Sequence, residues 1–177
     1  MKYVFTITAI CTLFFLGCKE NISNQENEIL NGQYVEKNNE GLVKTIGNFE
    51  NGKREGQFIY FDTKGKLQAQ ENYSENKLHD EQITVHSTGK IESNISYVNG
   101  VKEGSYSKYY KTGKLQETGS FKAGKKHGEI TWYYDNGQKN IIYTYNNGQL
   151  DGPTKTFSKE GDLVSEGNYT DGIKDTK

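Results

Sequence analysis

Few groups in this chain have the types and spacing that chemistry needs. Three histidines occur, His79, His86 and His127. His79 and His127 share one slot of a repeat, two repeats apart. Equivalent positions in adjacent repeats are two strands apart, about 9.6 Å, so these two stand about 19 Å apart. That is too far to share a metal ion. The same slot reads Glu55, His79, Glu103, His127, Asp151 and Asp175. Carboxylates one repeat apart have the loose spacing of an inverting glycosidase. Every repeat supplies that spacing, however, and no cleft is implied, so the row reads as polar turn residues. There is no Ser-His-Asp set and no Cys-His cluster. The glycines have turn spacing and do not form G-x-G-x-x-G. The expectation is no catalytic residue, no metal, no cofactor and no enzyme.

Covalent chemistry is expected at one place, Cys18. Met1-Lys2 is a short basic start, and residues 4–16 are apolar, too few to span a bilayer comfortably. The run ends in Phe15-Leu16-Gly17-Cys18. A small residue before a lone cysteine, closing a signal core, resembles a bacterial lipobox, with Phe15 where leucine is usual. The resemblance implies cleavage after residue 17, a diacylglycerol on the Cys18 thiol and a further acyl chain on its amine. Cys11 leaves with the signal, so the mature chain holds no disulfide. Residues 18–27 are then a lipidated cysteine and polar tether, and the bacterial cell envelope is the expected location, on the periplasmic side or the outer-membrane surface.

Adjacent aromatics are the remaining candidates for contact chemistry: Tyr60 beside Phe61, Tyr109-Tyr110, and Trp132-Tyr133-Tyr134. In a single-layer sheet adjacent residues face opposite ways, so part of each group is expected to be exposed. Such rings stack on sugars or hold a protein. Tyr60, Tyr109, Tyr110, Trp132, Tyr133 and Tyr134 form the candidate binding surface. Basic and acidic residues number 22 and 23, interspersed, with a net charge of -1. That balance excludes a nucleic-acid partner held through phosphates.

Placing these groups requires strands, and the composition supplies them. Among 177 residues, 13 are tyrosine and 20 glycine, suited to half-buried sheet faces and to turns, while only 32 % are hydrophobic. Self-similarity runs at a step of 24 residues. One glycine series is Gly52, Gly100, Gly124, Gly148 and Gly172, with Asn76 in the gap. A second is Gly32, Gly56, Gly104, Gly128 and Gly152, with Asp80 in the gap. A third, Gly41, Gly65, Gly89, Gly113, Gly137 and Gly161, is unbroken. Asparagine is the next-best residue after glycine for a left-handed backbone. Phe49, Tyr73, Tyr97, Phe121, Tyr145 and Tyr169 keep the same step. Val43, Leu67, Ile91, Leu115 and Leu163 do likewise, broken by Lys139.

The spacing predicts units at 28–51, 52–75, 76–99, 100–123, 124–147 and 148–171, followed by a stub, all within one domain, 28–177. Each unit reads as two strands joined by tight turns. In unit 124–147 the strands are expected over 129–135 and 138–145. Connections this short make neighbours antiparallel, giving a meander of about a dozen strands. Alternation places the Leu67 and Tyr73 columns on one apolar face and Gln68, Gln70 and Asn72 on a wet one. Gly47, Gly119 and Gly167 lie two residues before the aromatic column and are expected to leave room for a neighbouring ring to lie against bare backbone.

Gly104, Tyr109-Tyr110, Gly113-Lys114-Leu115, Gly119, Phe121, Gly124-Lys125 and Gly128 together resemble the bacterial MORN-repeat variant, of the kind labelled YwqK-type antitoxins. The resemblance covers about residues 28–177. Unit 76–99 departs from it at Asn76, Asp80 and Val85, and the first unit at Lys37. The resemblance implies an all-β, elongated single-layer antiparallel β-meander that binds and does not catalyse. The expected function is a membrane-anchored protein-binding scaffold. The alternatives are an antitoxin or immunity lipoprotein, and a module that binds cell-wall glycan.

Overall fold

A computed structural model describes residues 29–176. The signal segment, Cys18 and the tether lie outside the described residues. Fourteen strands and no helix occur among those described: β1 (Gly32–Lys37), β2 (Val43–Glu50), β3 (Lys53–Arg54), β4 (Gly56–Phe61), β5 (Leu67–Ser74), β6 (Lys77–Val85), β7 (Ile91–Val98), β8 (Val101–Tyr109), β9 (Leu115–Lys122), β10 (Lys125–Tyr133), β11 (Lys139–Asn146), β12 (Gln149–Phe157), β13 (Leu163–Thr170) and β14 (Ile173–Lys174). They form one open antiparallel sheet in chain order, with β3 beside β4 on the edge of β2. The expected all-β meander is the fold. Each strand packs against its sequence neighbours, as in other repeat arrays.

The two margins turn differently. At one, both loop residues have positive φ, as at Asn147 (50°) and Gly148 (88°). This turn matches the twist of the flanking strands, and Asn-Gly favours it. At the other margin only the glycine is left-handed. Gly137 N donates to Tyr134 O at 2.9 Å, and Tyr134 N to Gln138 O at 2.8 Å, which closes a three-residue loop.

The strand expected over 129–135 begins earlier, at Lys125, because the preceding glycine-containing stretch is strand and not loop. Its register against β9 shifts between His127 and Thr131, and Gly128 (φ 75°) sits in the bulge. Asp80 (φ 62°) takes the equivalent place in β6, so the strained backbone is retained without glycine.

A second irregularity corrects the face assignment. Tyr60 pairs with Ala69 but Phe61 with Leu67, leaving Gln68 as an extra residue. The same one-residue bulge recurs at Glu92, Gln116, Asn140 and Val164. Paired residues share a face, so Leu67 joins Phe61 on the face opposite Tyr60 and Tyr73. The aliphatic column therefore leaves the aromatic face. Ile91 is 44 % exposed and Leu163 52 %.

The core lies along the aromatic face. Phe58, Ile95, Tyr106 and Ile130 are buried. Tyr97, Phe121, Trp132 and Tyr145 pack around Ile95, Tyr106 and Ile130. Two of the three spacing glycines receive side chains closely. A Cβ on Gly47 would lie 2.3 Å from the Phe58 ring, and one on Gly119 would lie 2.2 Å from Ile130 Cδ1. Gly167 receives no ring: a Cβ there would meet Lys174 Cε and Thr154 Cγ2 at 3.6 Å.

Candidate binding faces

The candidate aromatics do not form one surface. Tyr60 and Trp132 lie on the aromatic face, Tyr109 and Tyr133 on the opposite face, and Tyr110 and Tyr134 where strands enter the three-residue loops. All six are half-buried. Tyr110 and Tyr134 spend their hydroxyls inside the array. Tyr110 donates to Tyr133 O at 2.6 Å, and Tyr134 to Phe157 O at 2.9 Å. His86 holds the equivalent slot, with Nε2 2.8 Å from Tyr109 O. These three side chains clasp each repeat to the next. Near the ends the slot holds Asn38, Asp62 and Ser158, which instead accept N–H groups of their own loops.

On the aromatic face the polar groups satisfy one another. The Arg54 guanidinium lies 5.4 Å from the Phe58 ring centroid and 5.0 Å from that of Tyr73, and donates to the Tyr73 hydroxyl at 3.0 Å. Tyr73 donates to Glu71 at 2.5 Å, and Gln82 to the same carboxylate at 2.6 Å. Burial, then the contact with Tyr73, pushes the Tyr60 phenol far up. Two repeats on, Glu117 is 5 % exposed and accepts from Lys126 at 2.5 Å, Tyr106 at 2.6 Å and Lys108 at 3.1 Å. Burial alone would raise its carboxyl. The three donors outweigh burial and hold it below the ordinary glutamate range. Sequence reasoning missed these acids, although Glu71 and Glu117 stand at even steps from Tyr73 and Phe121, on the aromatic side.

Three of the six acids and histidines in the row cap turns. Glu103 accepts from Ala123 N at 2.7 Å and Glu55 from Glu75 N at 3.0 Å, while Asn99 N approaches His79 Nδ1 at 3.4 Å. His127 Nδ1 is buried without a partner. Among the described residues no group of three or more His, Cys, Asp or Glu is placed to hold a metal. No helix among them is long and apolar enough to cross a membrane.

The face opposite the aromatic core offers a different surface. Its middle carries Asn48, Asn72, Ser96, Ser120 and Thr144. Along the three-residue-loop margin run paired ribs: Phe61 with Leu67, Val85 with Ile91, Tyr109 with Leu115, and Phe157 with Leu163. Ribs one repeat apart stand about 9.6 Å apart, and the Tyr133–Lys139 pair interrupts the row before Phe157 and Leu163. Leu67, Ile91 and Leu163 are 38 %, 44 % and 52 % exposed. Three of the six loops beside the ribs, 62–66, 86–90 and 110–114, carry Lys64, Lys66, Lys90, Lys111 and Lys114 against Asp62 alone. The other loops of this margin are acidic on balance, with Glu40, Asp135, and Glu160 and Asp162 against Lys159. The surface is therefore apolar and ribbed, with a rim that is cationic beside the Leu67, Ile91 and Leu115 ribs and acidic beside Leu163.

A family model described as the MORN repeat variant matches residues 54–75, 102–123, 126–147 and 150–171. The stretches it passes over include the first repeat and the one that departs at Asn76, Asp80 and Val85. No curated protein matches the chain. Among solved structures, the chain is similar at 10 % identity and a TM-score of 0.25 to the crystal structure of the GtfA/B complex bound to UDP and GlcNAc. That match covers 88 % of this chain and 29 % of the other, and likeness so low carries no argument.

Proposed function

We propose, from the premise that this chain carries four copies of the MORN repeat variant, that it is a non-enzymatic scaffold taking a protein partner on its ribbed margin. One observation supports the reading most. The repeat keeps an aliphatic residue at a position that the fold leaves about half exposed, at Leu67, Ile91 and Leu163. A partly exposed apolar strip, interrupted at Lys139 and edged by charged loops, is suited to a partner surface.

Replacing Leu67 and Ile91 together by glutamine is expected to weaken partner capture at least tenfold, the loss of two apolar contacts of about 1 kcal/mol each. The melting temperature should stay close to wild type, since exposed substitutions change stability by roughly 0.5 kcal/mol or less. Affinity chromatography of native membranes with wild-type and double-variant bait reads the first quantity, and calorimetry the second. Identical protein profiles on the two baits would remove the ribs from the reading. An antitoxin role is a special case of this docking, in which the captured protein inhibits growth. Tyr109 and Tyr133 on the wet face favour glycan as the second reading, and binding on a glycan array that the double variant retains would select it.

The scaffold is anchored, in this reading, by acyl chains on Cys18. Several chains hold a protein to a bilayer far more firmly than one. Cys18→Ala should move the chain from the membrane fraction to the soluble fraction. Unchanged fractionation would reject lipidation.

A further inference from the structure

Every seam between repeats is built alike. β2 meets β4, β5 meets β6, β7 meets β8, β9 meets β10 and β11 meets β12. The register is common to them: Ile46 opposite Ile59, Asn94 opposite Ser107, Ile142 opposite Lys155. In two of these seams a glycine of the second strand receives a large side chain from the next repeat, Gly47 taking Phe58 and Gly119 taking Ile130. Among the described residues, two halves of this seam stand without a counterpart. β14 pairs with β13 only at Tyr169 and Thr170, so the edge at Ser165, Glu166 and Gly167 carries no strand. The Gly167 position is open to 3.6 Å, beside a depression lined in part by Thr154, Glu166, Asn168 and Lys174. At the other end β1 carries Tyr34, in the repeat position that Phe58 and Ile130 occupy.

We infer that these half-seams join between copies: β1 of a second molecule docks antiparallel on β13, with its Tyr34 over Gly167, Val35 opposite Glu166 and Glu36 opposite Ser165. The argument is continuity with an interface the chain already makes five times in one register. An unpaired strand edge is a template for pairing, and this one has glycine where the seam seats a large side chain, a notch now bordered by Lys174 Cε and Thr154 Cγ2. The contact is heterologous and does not close on itself, so it yields open rows of copies. It stands apart from the ribbed margin, and neither depends on the other.

One local rearrangement accompanies docking. Residues 29–31 of the incoming copy and 173–175 of the receiving copy hold the same repeat positions, so one segment lifts. The incoming segment is tied down: Leu30 O accepts from Gly52 N at 2.9 Å and the Asn31 side chain from Asn51 N at 2.6 Å. The receiving segment is tied too, Asp175 N donating to Asn168 O at 3.0 Å and Asn168 Nδ2 to Asp175 Oδ2 at 2.7 Å, but β14 is two residues long and its Ile173 is 73 % exposed. β14 is the segment that yields, and the need to lift it keeps the association weak.

The test is a disulfide trap on the full chain. Val35→Cys and Glu166→Cys in one molecule place two thiols at cross-strand neighbours between copies, within reach of a bond. Mild oxidation of membranes carrying this variant should give a ladder of dimers, trimers and higher rows, above the background that Cys11 and Cys18 set in the parent chain. Val35→Cys with Ser165→Cys, one residue out of register and on the other face, should give no ladder. Adding Gly167→Leu to the first pair fills the notch and should cut the ladder about tenfold, the loss of one well-packed ring. Equal ladders from the two pairs, no ladder from the first, or a ladder indifferent to Gly167→Leu would each overturn the inference. Because none of these positions lies in the ribs, partner capture by the Leu67 and Ile91 face is read separately.

Discussion

Gly47→Ala should be among the most damaging single-methyl changes in the array, costing about 3 kcal/mol, while Gly167→Ala should be neutral or slightly stabilising. Both glycines hold the same repeat position on extended backbone. The difference is what lies above them. At Gly47 three atoms of the Phe58 ring fall within 2.6 Å of the added carbon, and Phe58 is 1 % exposed, so the ring has nowhere to go. At Gly167 the nearest atoms are 3.6 Å away, an ordinary contact. In a domain of this size about 3 kcal/mol corresponds to a fall in melting temperature of roughly 6–12 °C. Hydrogen exchange should show protection lost first where β2 meets β4, since repeats contact only their neighbours. Equal melting temperatures for the two variants would mean that Phe58 does not lie on bare backbone.

Glu117→Ala should cost about 2 kcal/mol. The carboxylate is buried, and its removal leaves the Tyr106 hydroxyl without its 2.6 Å partner at a ring that is 2 % exposed. Lys108 and Lys126 contribute less to that cost, because their side chains, 43 % and 27 % exposed, regain water. Glu117→Gln keeps an acceptor for Tyr106 and removes the charge, so it should fall between wild type and alanine. The two differ further with pH. Three donors hold the Glu117 carboxyl below its unfolded value. Its stabilisation is therefore complete above the ordinary glutamate pKa of about 4.3 and is lost as pH falls through the depressed folded value. Wild type should lose stability across that acid window more steeply than Glu117→Gln. Parallel pH profiles for the two would show that the charge contributes nothing.

Much of the fold was legible in the residues themselves. The 24-residue step, the turn glycines, the substitution of Asn76 and Asp80 into left-handed positions and the aromatic column are local patterns. A turn or an alternating strand is specified by residues within a few positions of one another, so one sequence suffices to find them. The spacing role of Gly47 was legible too, whereas the same reading does not hold at Gly167, which receives no ring. The candidate surface was read less well. Tyr110 and Tyr134 look like exposed aromatics in sequence, yet their hydroxyls are spent on carbonyls of the next repeat, 23 residues on.

The phase of the strands was decided by tertiary structure alone. Gln68 and its equivalents are unpaired extra residues, and a bulge exists only relative to the partner strand. Alternation along β5 by itself keeps Leu67 beside Tyr73. Pairing with β4 turns Leu67 to the other face, where it is 38 % exposed. The aromatic face thus keeps Glu71 and Glu117 among its rings, satisfied by Tyr, Gln and Lys from neighbouring strands. The aliphatic column, taken from the core by one residue per repeat, becomes the ribbed margin.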